Sequence, residues 1–259
     1  INVLIQLGAS PLANFNSTYT GLDPLSFALF FNEDRAVFQS LYKLAGNTKY
    51  TESELLTLLL FNVCSYPFHA GEYPGKKRIS DLRYLVSLGA SFADRPENQY
   101  DSALLRLEPL EFESLIDEVL TVAESGGFKL ADNPIEVVHF ISSGCWRNRP
   151  RVIGVLFKHG VNFNDGYEVH WRDSIQPIWF GVLHFSFSQP DDWINVLKAL
   201  LKCGVTLELK DSFGRSFCHY PILPGETKSD RYNVLNQLKS LGLSEELYSA
   251  GLQELEADS

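Results

Sequence analysis

The sequence predicts an all-α fold, a solenoid of about six to seven irregular helix-turn-helix repeats with long inserts. Three observations support this prediction. Seven apolar, helix-like segments run into a glycine, at Gly8, Gly46, Gly89, Gly126, Gly160, Gly204 and Gly242. A glycine just past a helix supplies the left-handed backbone conformation that closes it, so each glycine indicates a helix end. Successive glycines are 34 to 44 residues apart, which leaves room for a second helix in every interval.

The segment before each glycine carries apolar residues at helical spacing. Such a stripe is typical of a helix face that packs into a core. Two of the stripes are Trp193, Val196, Leu197, Leu200 and Leu201, and Leu115, Ile116, Val119, Leu120 and Ala123.

A second set of helices is expected between the glycines. The candidate segments are residues 24–32, 53–65, 101–107, 134–142, 177–187 and 217–222. Pro24, Pro134 and Pro177 suit a first helical turn, where the missing N–H leaves no hydrogen bond unmade.

The two ends of the chain differ in character. The opening "INVLIQLGAS" is apolar and has no capping residue before it, so residues 1–10 are expected to be the tail of a truncated first repeat within a longer chain. At the other end Ser244 is a candidate N-cap, and residues 244–259 are expected to form a C-terminal cap helix and an acidic tail. Residues 1–259 as a whole are predicted to form a single array.

Composition excludes several classes of partner and cofactor. The 259 residues include 22 basic and 32 acidic side chains, and a formal charge of -10 repels nucleic acid. No apolar run reaches the roughly 18 residues of a membrane span. The cysteines Cys64, Cys145, Cys203 and Cys218 are too far apart for a zinc or redox pair, so free thiols, no metal and an intracellular, cytoplasmic or nuclear location are expected.

An enzyme is the rival class. Six histidines offer bases, yet no metal-binding H-E-x-x-H, nucleophile-elbow or phosphate-loop motif accompanies them. Cys145 or Cys218 with a distant histidine is a conceivable nucleophile pair, although such a pair can be drawn in most chains of this size. The sequence therefore predicts no enzymatic activity and no cofactor.

Two stretches bear a family resemblance. "GLDPLSFA" at residues 21–28 resembles the ankyrin repeat signature G-x-T-P-L-H-x-A, and "DSFGRSFCHY" at residues 211–220 resembles D-x-x-G-x-T-P-L-H-x. "SIQPIWFG" at residues 174–181 is a weaker copy. The resemblance implies that Asp23 and Ser216 cap helices. The family period is about 33 residues, so this looks like a divergent array, and the register around residues 53–65 and 134–142 stays open.

The resemblance implies a binding surface. Ankyrin arrays typically bind proteins on the concave face made by turn tips and first helices, so we expect a non-enzymatic protein-protein interaction module or scaffold. The alternative is a spacer or regulatory segment of a larger multidomain enzyme or signalling protein.

Candidate partner contacts are large amphipathic side chains in the turns and helix starts. The turn after Gly160 carries Tyr167, His170, Trp171 and Arg172, and comparable places carry Tyr19, Arg95, Tyr100, Trp179, Phe213 and Arg215. Each single aromatic is equally well explained by packing within the fold. Two basic groups, at residues 76–78 and 147–151, are expected to be solvated loops at helix starts rather than anion-docking patches.

Overall fold

A computed structural model describes residues 23–31, 35–45, 51–65, 75–95, 102–107, 114–143, 149–169, 174–185, 190–216 and 228–257. These residues are mostly helical, and the prediction of a helical protein is confirmed at that level. The helices are α1 Pro24–Phe31, α2 Arg35–Ala45, α3 Glu52–Ser65, α4 Gly75–Ser87, α5 Ile116–Ser125, α6 Pro134–Ser143, α7 Arg149–Lys158, α8 Ile178–Phe185, α9 Pro190–Lys202, α10 Lys228–Ser240 and α11 Glu245–Ala257. Two 3-10 turns, Ala103–Arg106 and Leu130–Asp132, and two strands, β1 Gly166–Val169 and β2 Ser174–Pro177, complete the described elements.

The chain divides into two compact units, Ile1–Lys129 and Leu130–Ser259. The first contains α1 to α5. The second contains α6 to α11 and the β-hairpin of β1 and β2.

Five helices end in the same hydrogen-bonded turn. After α4, the Gly89 N–H donates to Val86 O (2.9 Å) and the Ala90 N–H to Leu85 O (3.0 Å). This pair of bonds is a Schellman closure, and it requires a left-handed residue, here Gly89 with φ +104°. The same closure recurs at the glycines after α5, α7, α9 and α10, namely Gly127, Gly160, Gly204 and Gly242.

One predicted helix end is wrong by one residue. The left-handed residue after α5 is Gly127 (φ +82°), whereas Gly126 has a φ of -90° and still belongs to the helical turn. Gly126 sits against Val86 and the Ala90 carbonyl, so close packing explains the second glycine of the pair. Gly8 and Gly46 lie outside the described residues.

Unit one contains two rows of helices. α1 packs on α3, and α3 on the 3-10 turn Ala103–Arg106, while α4 packs on α5 in the other row. Each pair contains one helix from each row: α1 packs on α2, and α3 packs on α4. Asn62 on α3 donates from Nδ2 to Ser26 Oγ on α1 (2.9 Å), which joins neighbouring helices of the first row.

The predicted cap at the start of α1 is confirmed. The Asp23 carboxylate accepts the Ser26 backbone N–H through Oδ1 and the Ser26 hydroxyl through Oδ2, both at 2.8 Å. Ser244 likewise caps α11, accepting the Leu247 N–H at 3.4 Å. The other implied cap, Ser216, precedes residues that lie outside the described part of the chain.

Unit one also buries a charged cluster. The Asp81 carboxylate is fully buried, pairs with Arg35 and accepts two bonds from Lys77 Nζ at 2.7 and 2.8 Å. Lys77 Nζ also donates to Leu29 O (2.9 Å), so the cluster joins α1, α2 and α4. Arg78 is fully buried as well. The expectation of a solvated loop at residues 76–78 is therefore wrong: all three residues lie in α4, Lys77 binds a buried carboxylate, and Arg78 is fully buried, while Lys76 alone is exposed.

Unit two repeats the two-row arrangement. α6 packs on α8 in one row, and α7 on α9 and α9 on α10 in the other, with α6–α7 and α8–α9 as the pairs between rows. Asn164 links successive turns, since its Nδ2 donates to Gly204 O (2.9 Å) and its Oδ1 accepts the Thr206 N–H (3.1 Å). The apolar stripe of α9 is buried at Trp193, Val196, Leu197 and Leu200.

The remaining predicted helices vary in outcome. Of the predicted helix at 101–107, the described residues 102–107 contain the 3-10 turn Ala103–Arg106 and no α-helix, and Pro177 ends β2 instead of opening α8. Residues 217–222 lie outside the described residues. The β-hairpin itself was not predicted.

Candidate protein-interaction site

The candidate site begins with the β-hairpin of unit two. β1 and β2 are antiparallel, with Tyr167 opposite Gln176 and Glu168 opposite Ile175. Side chains alternate between the two faces of a strand, so Tyr167 and Gln176 turn into the core while Glu168 and Ile175 face outward. The hairpin therefore presents one outer face.

The base of the hairpin is fastened to α8. The Trp179 N–H donates to Phe163 O (3.1 Å), and the Ile178 N–H donates to Asp165 O (2.9 Å). The Tyr167 ring crosses the helix at Gly181, where a Cβ would lie 2.4 Å from the Tyr167 hydroxyl oxygen. Gly181 is thus required for the close approach of ring to helix.

A tight turn at residues 211–215 lies beside β2, although it comes later in the chain. The buried Asp211 carboxylate accepts the N–H groups of Phe213 (2.9 Å) and Arg215 (2.8 Å) through Oδ1, and Arg215 Nε through Oδ2 (3.0 Å). Gly214 takes the left-handed conformation that the turn needs (φ +76°). The Arg215 guanidinium stacks on the Phe213 ring, 4.8 Å from its centroid. These bonds hold the turn in one conformation.

The hairpin and this turn are joined edge to edge. The Ser212 N–H donates to Ile175 O (2.9 Å), and the Ile175 N–H donates to Ser212 Oγ (3.0 Å). Ile175 and Phe213 are 56% and 58% exposed, two of five large apolar side chains exposed in the described part of the chain. We call Ile175, Ser212, Phe213 and Arg215 the hairpin surface.

The predicted contact residues have different outcomes. Phe213 and Arg215 lie together on the hairpin surface, and Arg95 is exposed in unit one. Trp179 is fully buried and Tyr167 is 8% exposed, so both are core residues and their prediction as partner contacts is corrected. Tyr19, Tyr100, His170, Trp171 and Arg172 lie outside the described residues.

Sequence reasoning missed Ile175. Its signal is the alternation of small or polar residues with apolar ones in "GYEV" and "SIQP", which indicates two short strands. A search restricted to the helical period passes over such four-residue segments.

Two of the four cysteines, Cys64 and Cys203, belong to the described residues. Cys64 is buried, and burial raises the pKa of its thiol well above the ordinary value, which disfavours the reactive thiolate. Burial also raises the pKa of Cys203. Cys145 and Cys218 lie outside the described residues.

Among the residues that the structure describes, no group of three His, Cys, Asp or Glu side chains could hold a metal ion. None of the described helices has the length and apolar character to cross a membrane. The sequence matches no protein-family model and no curated protein.

Proposed function

We propose that the chain is a divergent ankyrin-type repeat protein that works as a non-enzymatic protein-protein interaction module. Its partner binds at the hairpin surface. The supporting observation is that Ile175 in β2 and Phe213 in the neighbouring turn are both more than half exposed, and that Ser212, next to Phe213 in the chain, is hydrogen-bonded to Ile175.

The ankyrin-type array is supported by the repeated turn and by the two rows. Five Schellman closures recur along the described chain, and in each unit helices pack on those of the next pair. Each helix pair buries its apolar face on a neighbour, which is how repeat arrays build a core.

The hairpin surface has the physical character of a binding site. Large apolar side chains that stay exposed on a fixed surface can be buried by a partner protein. Aromatic and arginine side chains dominate interface energetics, and Phe213 with its stacked Arg215 supplies both. Asp211 fixes this turn before binding, so little conformational entropy is lost when a partner docks.

Photo-crosslinking tests the proposal. A benzophenone amino acid is placed at position 213, and, as a control, at position 135, where Ile135 is 39% exposed on α6. In extract of cells that express the protein, we expect a specific crosslinked protein from position 213 and none from position 135.

The matched variants are Phe213→Ala with Ile175→Ser, and Ile135→Ser as control. In affinity capture from the same extract, the first pair should no longer retain the protein that crosslinks at position 213, while its helical circular dichroism is unchanged, and the control should retain that protein normally. Equal capture by both would refute the hairpin surface. No capture by the wild type would favour a spacer or regulatory segment of a larger protein.

A further inference from the structure

The charge of Arg215 is neutralised within its own turn. Arg215 Nη2 lies 2.9 Å from Asp211 Oδ2, and Arg215 Nε donates to the same oxygen at 3.0 Å. The Asp211 side chain is fully buried, whereas 41% of the Arg215 side chain is exposed. A carboxylate of a partner protein would therefore compete for Arg215 with a carboxylate that is already in place. Arg215 adds little net charge to the hairpin surface.

The strands and the turn around this ion pair are neutral as well. Residues 166–169, 174–177 and 210–216 contain two acidic side chains, Glu168 and Asp211, and two basic ones, Lys210 and Arg215. Their formal charge is therefore zero, although the whole chain carries -10. Complementary surfaces match in electrostatic potential, so a neutral patch favours a partner segment of neither sign.

The exposed material of the hairpin surface is apolar. The Arg215 guanidinium covers one face of the Phe213 ring, 4.8 Å from its centroid, and leaves the opposite face to a partner. Phe213 remains 58% exposed and Ile175 56% exposed. Two hydrogen bonds between Ile175 and Ser212 hold the strand and the turn together, so both apolar side chains belong to one fixed surface.

We propose that the hairpin surface binds an uncharged, apolar segment of its partner, and that Arg215 positions the Phe213 ring instead of forming an ion pair with the partner. The inference rests on the proposed function and narrows it to one class of partner segment. Apolar side chains of that segment pack on Phe213 and Ile175. The centres of protein interfaces are depleted in charged residues, because a buried charge without a partner is costly.

An acidic segment is the main alternative, because arginine is a common anchor for carboxylates. It would need a guanidinium that is available to the partner. The buried Asp211 carboxylate already holds that of Arg215 through two nitrogens. The observed geometry therefore favours the uncharged segment, and the charge preference of the surface decides between the two.

The test uses three short peptides, acetylated and amidated, that share the same leucines and differ in the residues between them: Ser-Leu-Ser-Leu-Ser, Glu-Leu-Glu-Leu-Glu and Lys-Leu-Lys-Leu-Lys. A fluorine-labelled phenylalanine at position 213 of the whole chain reports binding by its fluorine NMR shift, at about 0.05 M and about 0.5 M NaCl. The control carries the label at position 157, where Phe157 is 48% exposed on α7.

We expect the serine peptide to shift the label at position 213 in a saturable way, with a dissociation constant that changes less than about two-fold with salt. At the higher salt, where the field of the whole chain is screened, neither charged peptide should bind more tightly. The label at position 157 should not shift saturably. Lack of a saturable shift at position 213, an equal shift at position 157, or tighter binding of a charged peptide at high salt would overturn the proposal.

Two variants should change the charge preference in opposite directions. Asp211→Asn keeps an oxygen for the N–H groups of the turn but releases the charge of Arg215, so the glutamate peptide should bind about two- to five-fold more tightly than to the wild type. Arg215→Gln leaves the charge of Asp211 without its counterion, so the lysine peptide should gain by a similar factor. A purely structural role would weaken all three peptides alike.

Glu246→Gln is the matched control, because it alters an exposed residue of α11 and gives the same net charge as Asp211→Asn. It should leave the order of the three peptides unchanged. If Asp211→Asn and Arg215→Gln also left that order unchanged, the neutralisation of Arg215 by Asp211 would not set the specificity. A surface that prefers a charged peptide would still be a binding surface, so that outcome refutes only the partner chemistry, whereas failure of crosslinking at position 213 refutes the proposed function.

Discussion

Gly181 and Gly154 are both glycines inside helices of unit two, and the same substitution should act on them in opposite directions. An alanine Cβ at position 181 would lie 2.4 Å from Tyr167 Oη, 2.9 Å from Tyr167 Cζ and 2.8 Å from Val138 Cγ1. At position 154 it would meet nothing within 4 Å. Comparison of Gly181→Ala with Gly154→Ala therefore separates the effect of helix propensity on stability from the effect of packing.

The expected magnitudes follow from these distances. Either alanine gains about 1 kcal/mol of helix propensity. Overpacking of a dense core costs about 1 to 3 kcal/mol, and three atoms closer than real Cβ contacts place Gly181 at the upper end. Gly181→Ala should thus destabilise unit two by about 2 kcal/mol, and Gly154→Ala should stabilise it by about 1 kcal/mol.

Urea unfolding followed by tryptophan fluorescence provides the assay. All four tryptophans, Trp146, Trp171, Trp179 and Trp193, belong to unit two, so the signal reports on that unit. A Tyr167→Leu background should remove most of the cost at Gly181, because two of the three close atoms belong to that ring. If Gly181→Ala were as stable as Gly154→Ala, the close approach of Tyr167 to α8 would be refuted.

Three further changes test other parts of the structure. Asp81→Asn should lower the free energy of unfolding by about 3 kcal/mol, because it leaves Arg35 and Lys77 facing an uncharged group. The control Glu118→Gln breaks an exposed ion pair with Arg83 and should lower it by less than about 1 kcal/mol. Circular dichroism in urea measures both, and equal costs would contradict the burial of the cluster. Leu200→Ala should cost about 2 to 5 kcal/mol and release the tryptophan signal before the rest of the helical signal; one shared transition would argue against independent unfolding of unit two. Burial raises the pKa of Cys64 above its ordinary 9.0. Above about pH 9 the unfolded chain loses a proton that the folded chain keeps, so the free energy of unfolding should fall as the pH rises. Cys64→Ala should make that fall shallower.

The regular parts of the fold were predictable because they depend on neighbours in the chain. The apolar stripe of α9, the Asp23 cap and four of the described glycine closures follow from spacings of three to five residues. The misplaced closure at Gly126 shows the limit of this reasoning, since two adjacent glycines both permit the turn and packing against Val86 selects which one takes it.

The candidate site was only partly predictable. Phe213 and Arg215 were chosen by residue type and position in a turn, and they are adjacent on the hairpin surface. Trp179 was chosen by the same criteria, yet it is fully buried against Phe180 with ring centroids 4.4 Å apart. Residue type does not distinguish an aromatic anchor for a partner from an aromatic core residue, because both are large and amphipathic.

The sequence by itself determined where four of the described helices end, which helix faces are apolar, and that the net charge is negative, because each depends on composition or on contacts within one or two turns. Only the tertiary structure decided the rest. It brings Arg35 to Asp81 across 46 positions, where the arginine pairs with a buried carboxylate. It also brings Ile175 to Ser212 across 37 positions, where the Ile175 side chain stays exposed. Contacts at such separations depend on how whole helix pairs pack on one another, which no local pattern specifies.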